Sequence, residues 1–188
     1  MAIQLIMGLG NPGPDYTNTR HNVGVWFLAA LFEQEGLKPR FEAKLKAFLT
    51  DFGTVKCGVA STYMNLSGDA VLAVAKYYQI PPDKILVVHD ELDLDVGTVR
   101  LKHGGGHAGH NGLRDIIAKL GSSDFHRLRI GIGRPSNQQI PLADYVLSRP
   151  NKYEESQINQ ALAKACAGLP SILAGNWSSA MQYLHSNN

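Results

Sequence analysis

Apolar residues in this chain fall into short runs broken by glycine, proline and polar turns. Ile3 to Leu9 is apolar at nearly every position, as expected of a strand buried on both faces. It runs into Gly8-Leu9-Gly10-Asn11-Pro12-Gly13, a turn-forming stretch. From Val23 to Phe32 the apolar spacing is helical, with Asn18 or Thr19 as the cap and Gly36 as the stop. Lys46 to Ala60 divides around Gly53 into two strand-like halves, the pattern of a hairpin. Ser67 to Tyr78 returns to helical spacing and ends at Pro81-Pro82. Lys84 to Val88 has the length of a central strand, and Val99 to Leu101 is a candidate for another. Asn111 to Leu120 reads as a helix closed by Gly121, and Leu128 to Ile132 as a strand. Ser136-Asn137-Gln138-Gln139 ahead of Pro141 makes residues 136–150 read as a mobile loop. Tyr153 to Leu173 and Ser178 to Leu184 read as closing helices.

Strands alternating with helices indicate an α/β fold. The hairpin makes the sheet mixed rather than wholly parallel. The expected architecture is one domain over residues 1–188, a mixed twisted sheet with helices on both faces.

Composition adds limits. With 188 residues, 44% hydrophobic and 18% charged, the chain is globular and needs no disulfide or structural metal for stability. No run approaches the ~20 apolar residues of a membrane span. The first residues lack both a basic n-region and the Arg- and Ser-rich character of a transit peptide. Cys57 and Cys166 are too few and too far apart for a disulfide framework, which fits a reducing compartment. A cytoplasmic protein is expected. The net charge of +2 conceals an asymmetry: residues 98–134 carry seven Lys or Arg against two acids. Such a patch on a nearly neutral chain suits a polyanion on one face.

The glycine turn after the first strand matches the dinucleotide fingerprint in letters only. Pro12 and Pro14 lack N–H groups, and the next helix begins too late to present its N-terminus to a pyrophosphate. A turn that projects Asn11 into a cleft at the strand end fits better. His21 stands where the next helix begins, where the helix dipole disfavours imidazolium and would keep a general base neutral. Asn65 could orient a substrate or cap the following helix. Asp90, Glu91, Asp93 and Asp95 crowd the end of a central strand, as for a metal or for a carboxylate orienting a histidine. In Gly104 to Gly112, five of nine residues are glycine and a helix follows at once, the makings of an anion site. Its histidines, with His103, also admit a metal reading. Arg127 and Arg129 alternate onto one face of their strand and, with Lys102 and Arg114, could clamp phosphate.

Together these blocks resemble the bacterial-type peptidyl-tRNA hydrolases: Gly8 to Gly13, Thr19 to Gly24, Met64 to Gly68, His89 to Asp93, Gly104 to Gly112 and Arg127 to Pro135, in that order. The resemblance covers the chain to about residue 150. It implies a monomeric α/β enzyme that cleaves the ester between a peptide and the 3′ end of tRNA. It also implies no cofactor, no metal and no obligatory protein partner. By that resemblance His21 is the catalytic base, Asp90 supports it, and Asn11, Asn65 and Asn111 line the cleft. Tyr16, Tyr63, Met64 and His110 match positions around it, though the family often has Phe where Tyr63 stands. Lys102 and Arg129 match positions expected to meet tRNA phosphate. No Ser or Cys stands in a nucleophile-elbow pattern, so water is the expected nucleophile. Asn11 is expected to bind the amide that distinguishes a peptidyl from an aminoacyl ester. Two other readings compete. One is a metal-dependent hydrolase built on His103, His107, His110 and the acids near Asp90. The other is a non-catalytic RNA- or ribosome-binding factor using the same basic patch.

Overall fold

Side chains of the first strand alternate between two cores, one on each side of a seven-stranded sheet. The computed structural model describes residues 2–186. Its strands are β1 (Leu5–Gly8), β2 (Arg40–Glu42), β3 (Ala47–Phe52), β4 (Val55–Ala60), β5 (Ile85–Glu91), β6 (Val99–His103) and β7 (His126–Gly131). Their order across the sheet is β2-β3-β4-β1-β5-β7-β6. The four inner strands, β4, β1, β5 and β7, run parallel. Antiparallel pairings of β2 with β3, β3 with β4 and β6 with β7 complete the edges. The fold is the α/β class with a mixed sheet that the alternation of elements predicts.

Burial on both faces explains why β1 and β5 are apolar at almost every position. Leu5, Met7, Ile85 and Val87 face one core, while Ile6, Leu86 and Val88 face the other. Helices α2 (Ser67–Tyr77) and α3 (Asn111–Leu120) contribute Val71, Val74 and Ile116 to the first core. Helices α1 (Val23–Glu35), α5 (Lys152–Leu173) and α6 (Trp177–His185) contribute Phe27, Ile158 and Leu184 to the second. Gly36 and Gly121 end α1 and α3 in the left-handed conformation, as read from sequence.

Three local expectations change. Residues 136–150 are not all loop, because α4 (Leu142–Val146) forms there and buries Tyr145. A three-residue edge strand, β2, forms where no alternation marked one. Neither Asn18 nor Thr19 caps α1 with its side chain. Arg20–Asn22 form a single 3₁₀ turn ahead of the helix, and the Thr19 hydroxyl donates to the Tyr16 carbonyl.

Candidate active site

The turn Arg20–Asn22 is buried at all three residues, and each side chain holds a different part of the molecule. His21 reaches Asp90 at the end of β5, with Nδ1 at 2.9 Å from Oδ2 and 3.0 Å from Oδ1. The Asn22 amide brackets the backbone of Asn11. Its Oδ1 accepts from Asn11 N–H at 2.9 Å and its Nδ2 donates to the Asn11 carbonyl at 2.9 Å. Arg20 reaches the segment from α4 to α5. Gly24 permits this closeness. A Cβ there would drive into the Val88 carbonyl oxygen and lie 2.8 and 2.9 Å from the backbone of Leu9. The first turn of α1 therefore lies directly on the ends of β1 and β5, where ligands of open α/β sheets bind.

Asp90 is fully enclosed yet held ionised. Burial pushes its carboxyl up, and the His21 and His110 imidazoles, by charge and hydrogen bonding, hold it well below the usual carboxylate range. His110 Nε2 lies 2.7 Å from Oδ1. An ionised carboxylate only accepts, so both rings present N–H to it. The sequence expectation for His21 is corrected here. Burial does push the ring down, but the Asp90 charge and hydrogen bond outweigh it, and the His21 pKa lies above its ordinary 6.5. His21 Nε2 makes no hydrogen bond among the described residues, and the ring lines two adjoining cavities.

One cavity, of about 420 Å³, has Asn11, Tyr63, Met64, Asn65 and Asn111 in its wall. Asn11 Oδ1 accepts from Met64 N–H at 2.6 Å. The side-chain oxygen is thereby engaged on one side, and the Asn11 NH₂ makes no hydrogen bond among the described residues. The free NH₂ suits a carbonyl or an oxyanion. Asn65 is exposed on the turn before α2 and caps nothing. Tyr16 is outside the wall but packs edge-on against Tyr63, ring centres 6.2 Å apart.

The second cavity, about 330 Å³, is lined by His21, Asp90 and His110 together with Lys102, Arg127, Arg129 and Arg134. The basic residues read as a clamp from sequence separate into different roles. Arg127 is buried, donates to the Gly105 and Gly106 carbonyls, and stacks over Phe125 at 4.8 Å. It lines the cavity too, but both its terminal nitrogens are spent on the glycine loop. Arg129 is half-buried and paired with Glu91 at 2.8 Å. Arg114 lines neither cavity and donates to Asn111 Oδ1 at 3.0 Å. Lys102 is exposed along the loop, where a Cβ on Gly105 would stand 2.8 Å from its Nζ.

His110 does two jobs. Its Nδ1 accepts from Gly112 N–H at 3.1 Å and Leu113 N–H at 3.3 Å, capping α3. Its proton is therefore on Nε2, facing Asp90. Both nitrogens are used, so His110 meets a ligand only through its carbon edge. The same arrangement bears on whether a metal fits. His21, Asp90 and His110 present ligand atoms within 4.8 Å of one another. A cation there would need the Nε2 lone pair of His110, and hence either an imidazolate or a broken helix cap. The set fits hydrogen bonding and not a metal. His103 and His107 do not join it, since His103 pairs with Asp124 at 2.6 Å and His107 accepts from Gly109 N–H.

Sequence reasoning missed Arg20 and Asn22, which line neither of these two cavities and act through neighbours. It also missed His89, buried beneath His110 with ring centres 5.0 Å apart and pushed down to about 3 chiefly by burial. The α4 residues Ala143 and Val146, which line both cavities, gave no chemical cue.

The sequence pattern of the peptidyl-tRNA hydrolase family matches residues 5–188. The peptidyl-tRNA hydrolase of Pseudomonas paraeruginosa PA7 is 48% identical over 190 residues, covering 98% of this chain and 97% of its own. That of Legionella pneumophila strain Paris is 46% identical, covering 99% and 100%. The crystal structure of Acinetobacter baumannii peptidyl-tRNA hydrolase is 39% identical and superposes with a TM-score of 0.92 over 99% of this chain and 96% of that one. With the family pattern, near-full-length relatives and the fold in agreement, the chain belongs to the peptidyl-tRNA hydrolase family.

Proposed function

We propose that His21, oriented by Asp90, is the general base with which this member of the family hydrolyses peptidyl-tRNA. The observation that carries this is the contact between His21 Nδ1 and Asp90 at 2.9 Å, which leaves Nε2 for the cavities. Nε2 takes a proton from water as the oxygen attacks the ester carbon. The Asn11 NH₂ donates to the carbonyl oxygen as it becomes an oxyanion. Asp90 stabilises the imidazolium that forms. When the intermediate collapses, the bond from carbon to the ribose oxygen breaks and the imidazolium returns its proton to that oxygen. The products are a peptide carboxylic acid, which loses its proton to solvent, and a tRNA with a free terminal hydroxyl.

The cavity with Tyr63, Met64, Asn65 and Asn111 suits the peptide side of the ester. The cavity with Lys102 and Arg129 suits the tRNA side, where phosphate contacts give binding independent of peptide sequence. All these groups come from one chain, which supports action as a monomer without an obligatory partner. Cys57 and Cys166 are free and buried, and no helix among the described residues is long and apolar enough to cross a membrane. Both are compatible with work in the cytoplasm.

The test is release of N-acetyl-aminoacyl groups from tRNA by wild type and His21→Ala, each with excess chelator. Cleavage by wild type alone is the expected result. Equal cleavage by both proteins would move the base elsewhere. Cleavage by neither, restored to wild type by zinc, would return the metal reading.

A further inference from the structure

Arg20 is the neighbour of the base, is buried, and points away from the cavities. Its guanidinium makes four contacts with the segment that follows β7, one of them a long hydrogen bond from Nη1 to the Tyr145 carbonyl at 3.4 Å. Nη1 donates to Ser148 Oγ at 2.5 Å, and Nη2 donates to Glu154 Oε2 at 2.7 Å. The group also lies over the Tyr145 ring at 4.1 Å. The Arg20 backbone N–H adds a bond to the Ser148 carbonyl at 3.1 Å. Tyr145 and Ser148 belong to α4 and its end, and Glu154 to the first turn of α5. Glu154 is itself fixed, because the same Oε2 accepts from Asn151 N–H at 2.8 Å in the capping box of α5. Tyr145 is fixed from the other side by its hydroxyl, which donates to the Ile132 carbonyl at 2.7 Å. The element held in this way carries Ala143 and Val146, the apolar wall shared by both cavities.

We infer that Arg20 is a positioning residue that sets the α4 wall against the catalytic turn, and thereby sets substrate affinity and not the chemical step. Arginine is needed because one planar group must serve a carboxylate, a hydroxyl and an aromatic face together, which a lysine ammonium does not do. The wall has only apolar side chains facing the cavities, so it contacts ground state and transition state alike. Loosening it raises KM and leaves kcat nearly unchanged. His21 keeps its own anchor on Asp90, so the pH dependence of kcat stays where it is.

The inference rests on the hydrolase reading for its kinetic arm only. Arg20→Lys and Glu154→Gln are compared with wild type, the second because glutamine still accepts from Asn151 and preserves the helix cap. Amide hydrogen exchange is followed in 142–148, with 67–77 as internal control, and kinetics are measured on N-acetyl-aminoacyl-tRNA. The expected result is faster exchange confined to 142–148 in both variants. KM rises about tenfold in Arg20→Lys and less in Glu154→Gln, with kcat within about threefold and its pH midpoint unmoved. Unchanged exchange in 142–148 overturns the inference whatever the enzyme acts on. So does a fall in kcat or a moved pH midpoint at constant KM, which would mean that Arg20 acts through His21. A lower melting temperature with unchanged KM would reduce Arg20 to a support of the fold.

Discussion

His21 and Asp90 are separated by 69 residues of chain, yet each determines the other's proton affinity. The consequences for pH follow from the two directions. The base works unprotonated, and Asp90 holds the His21 pKa above 6.5, so kcat/KM falls on acidification with a midpoint above that value. Asp90→Asn removes the two upward influences and leaves burial, which lowers. The midpoint then moves below 6.5, and kcat falls by roughly 10²–10⁴-fold. An Asp90→Asn enzyme with an unmoved midpoint would show that Asp90 does not govern the base. Stability takes the other sign. The raised His21 contributes most below its unfolded pKa, and that contribution fades as pH rises through the folded value. The lowered Asp90 contributes above the unfolded carboxylate value, and that fades only as pH falls through the folded one. The pair is thus most stabilising on the acid side of the pH at which the enzyme is most active.

Close approach of whole elements brings that pair together, and it hangs on a single glycine. Every atom that a Gly24 Cβ would meet first is backbone, of Val88 in β5 and of Leu9 just past β1, so no side chain can move aside. Gly24→Ala is expected to destabilise the fold by about 3 kcal/mol or more, at the upper end of overpacking. Urea unfolding would show it, and a change under about 1 kcal/mol would mean that α1 lifts off the sheet easily. Elements of this kind, whose residues repeat a strong local pattern, were legible in the sequence. Asn111–Leu120 has the same bounds in both, the strands around Gly53 are where the apolar runs put them, and the central strand starts at Ile85 but runs past the apolar stretch to Glu91. What was not legible is held by distant contacts. The five residues of α4 follow Pro141 with little helical pattern, and Arg20, more than a hundred positions earlier, holds them in place. β2 is exposed at all three positions, so no alternation marks it, and only pairing with β3 makes it a strand. At the site, the sequence located Asn11, His21 and Asp90 but could not show which atoms face the ligand. The free NH₂ of Asn11 and the single tautomer of His110 depend on Met64 N–H and the start of α3.

Across the whole molecule, a net charge of +2 gives little general attraction to RNA, so affinity must come from a few placed cations. Most cations around the second cavity are already engaged: Arg127 by the glycine loop, Arg129 by Glu91 and Arg134 by Asp93. Lys102 is in no ion pair among the described residues and lies exposed along the loop. It should therefore contribute more to tRNA binding than Arg129, although both are basic and near one cavity. Lys102→Ala is expected to raise KM with little change in kcat, and to flatten the plot of log KM against log salt by roughly 0.7–0.9, as for one lost phosphate contact. Arg129→Ala should flatten it less, because its charge is already shared. Glu91→Gln, which frees Arg129, should lower KM and steepen the plot. Kinetics over a salt series with two unrelated tRNAs make the comparison, and both tRNAs should respond alike, since phosphate contacts carry no sequence information. A salt slope unchanged in Lys102→Ala would move the tRNA to another face. A Glu91→Gln enzyme no different from wild type would mean that Arg129 already reaches the phosphate while holding its carboxylate.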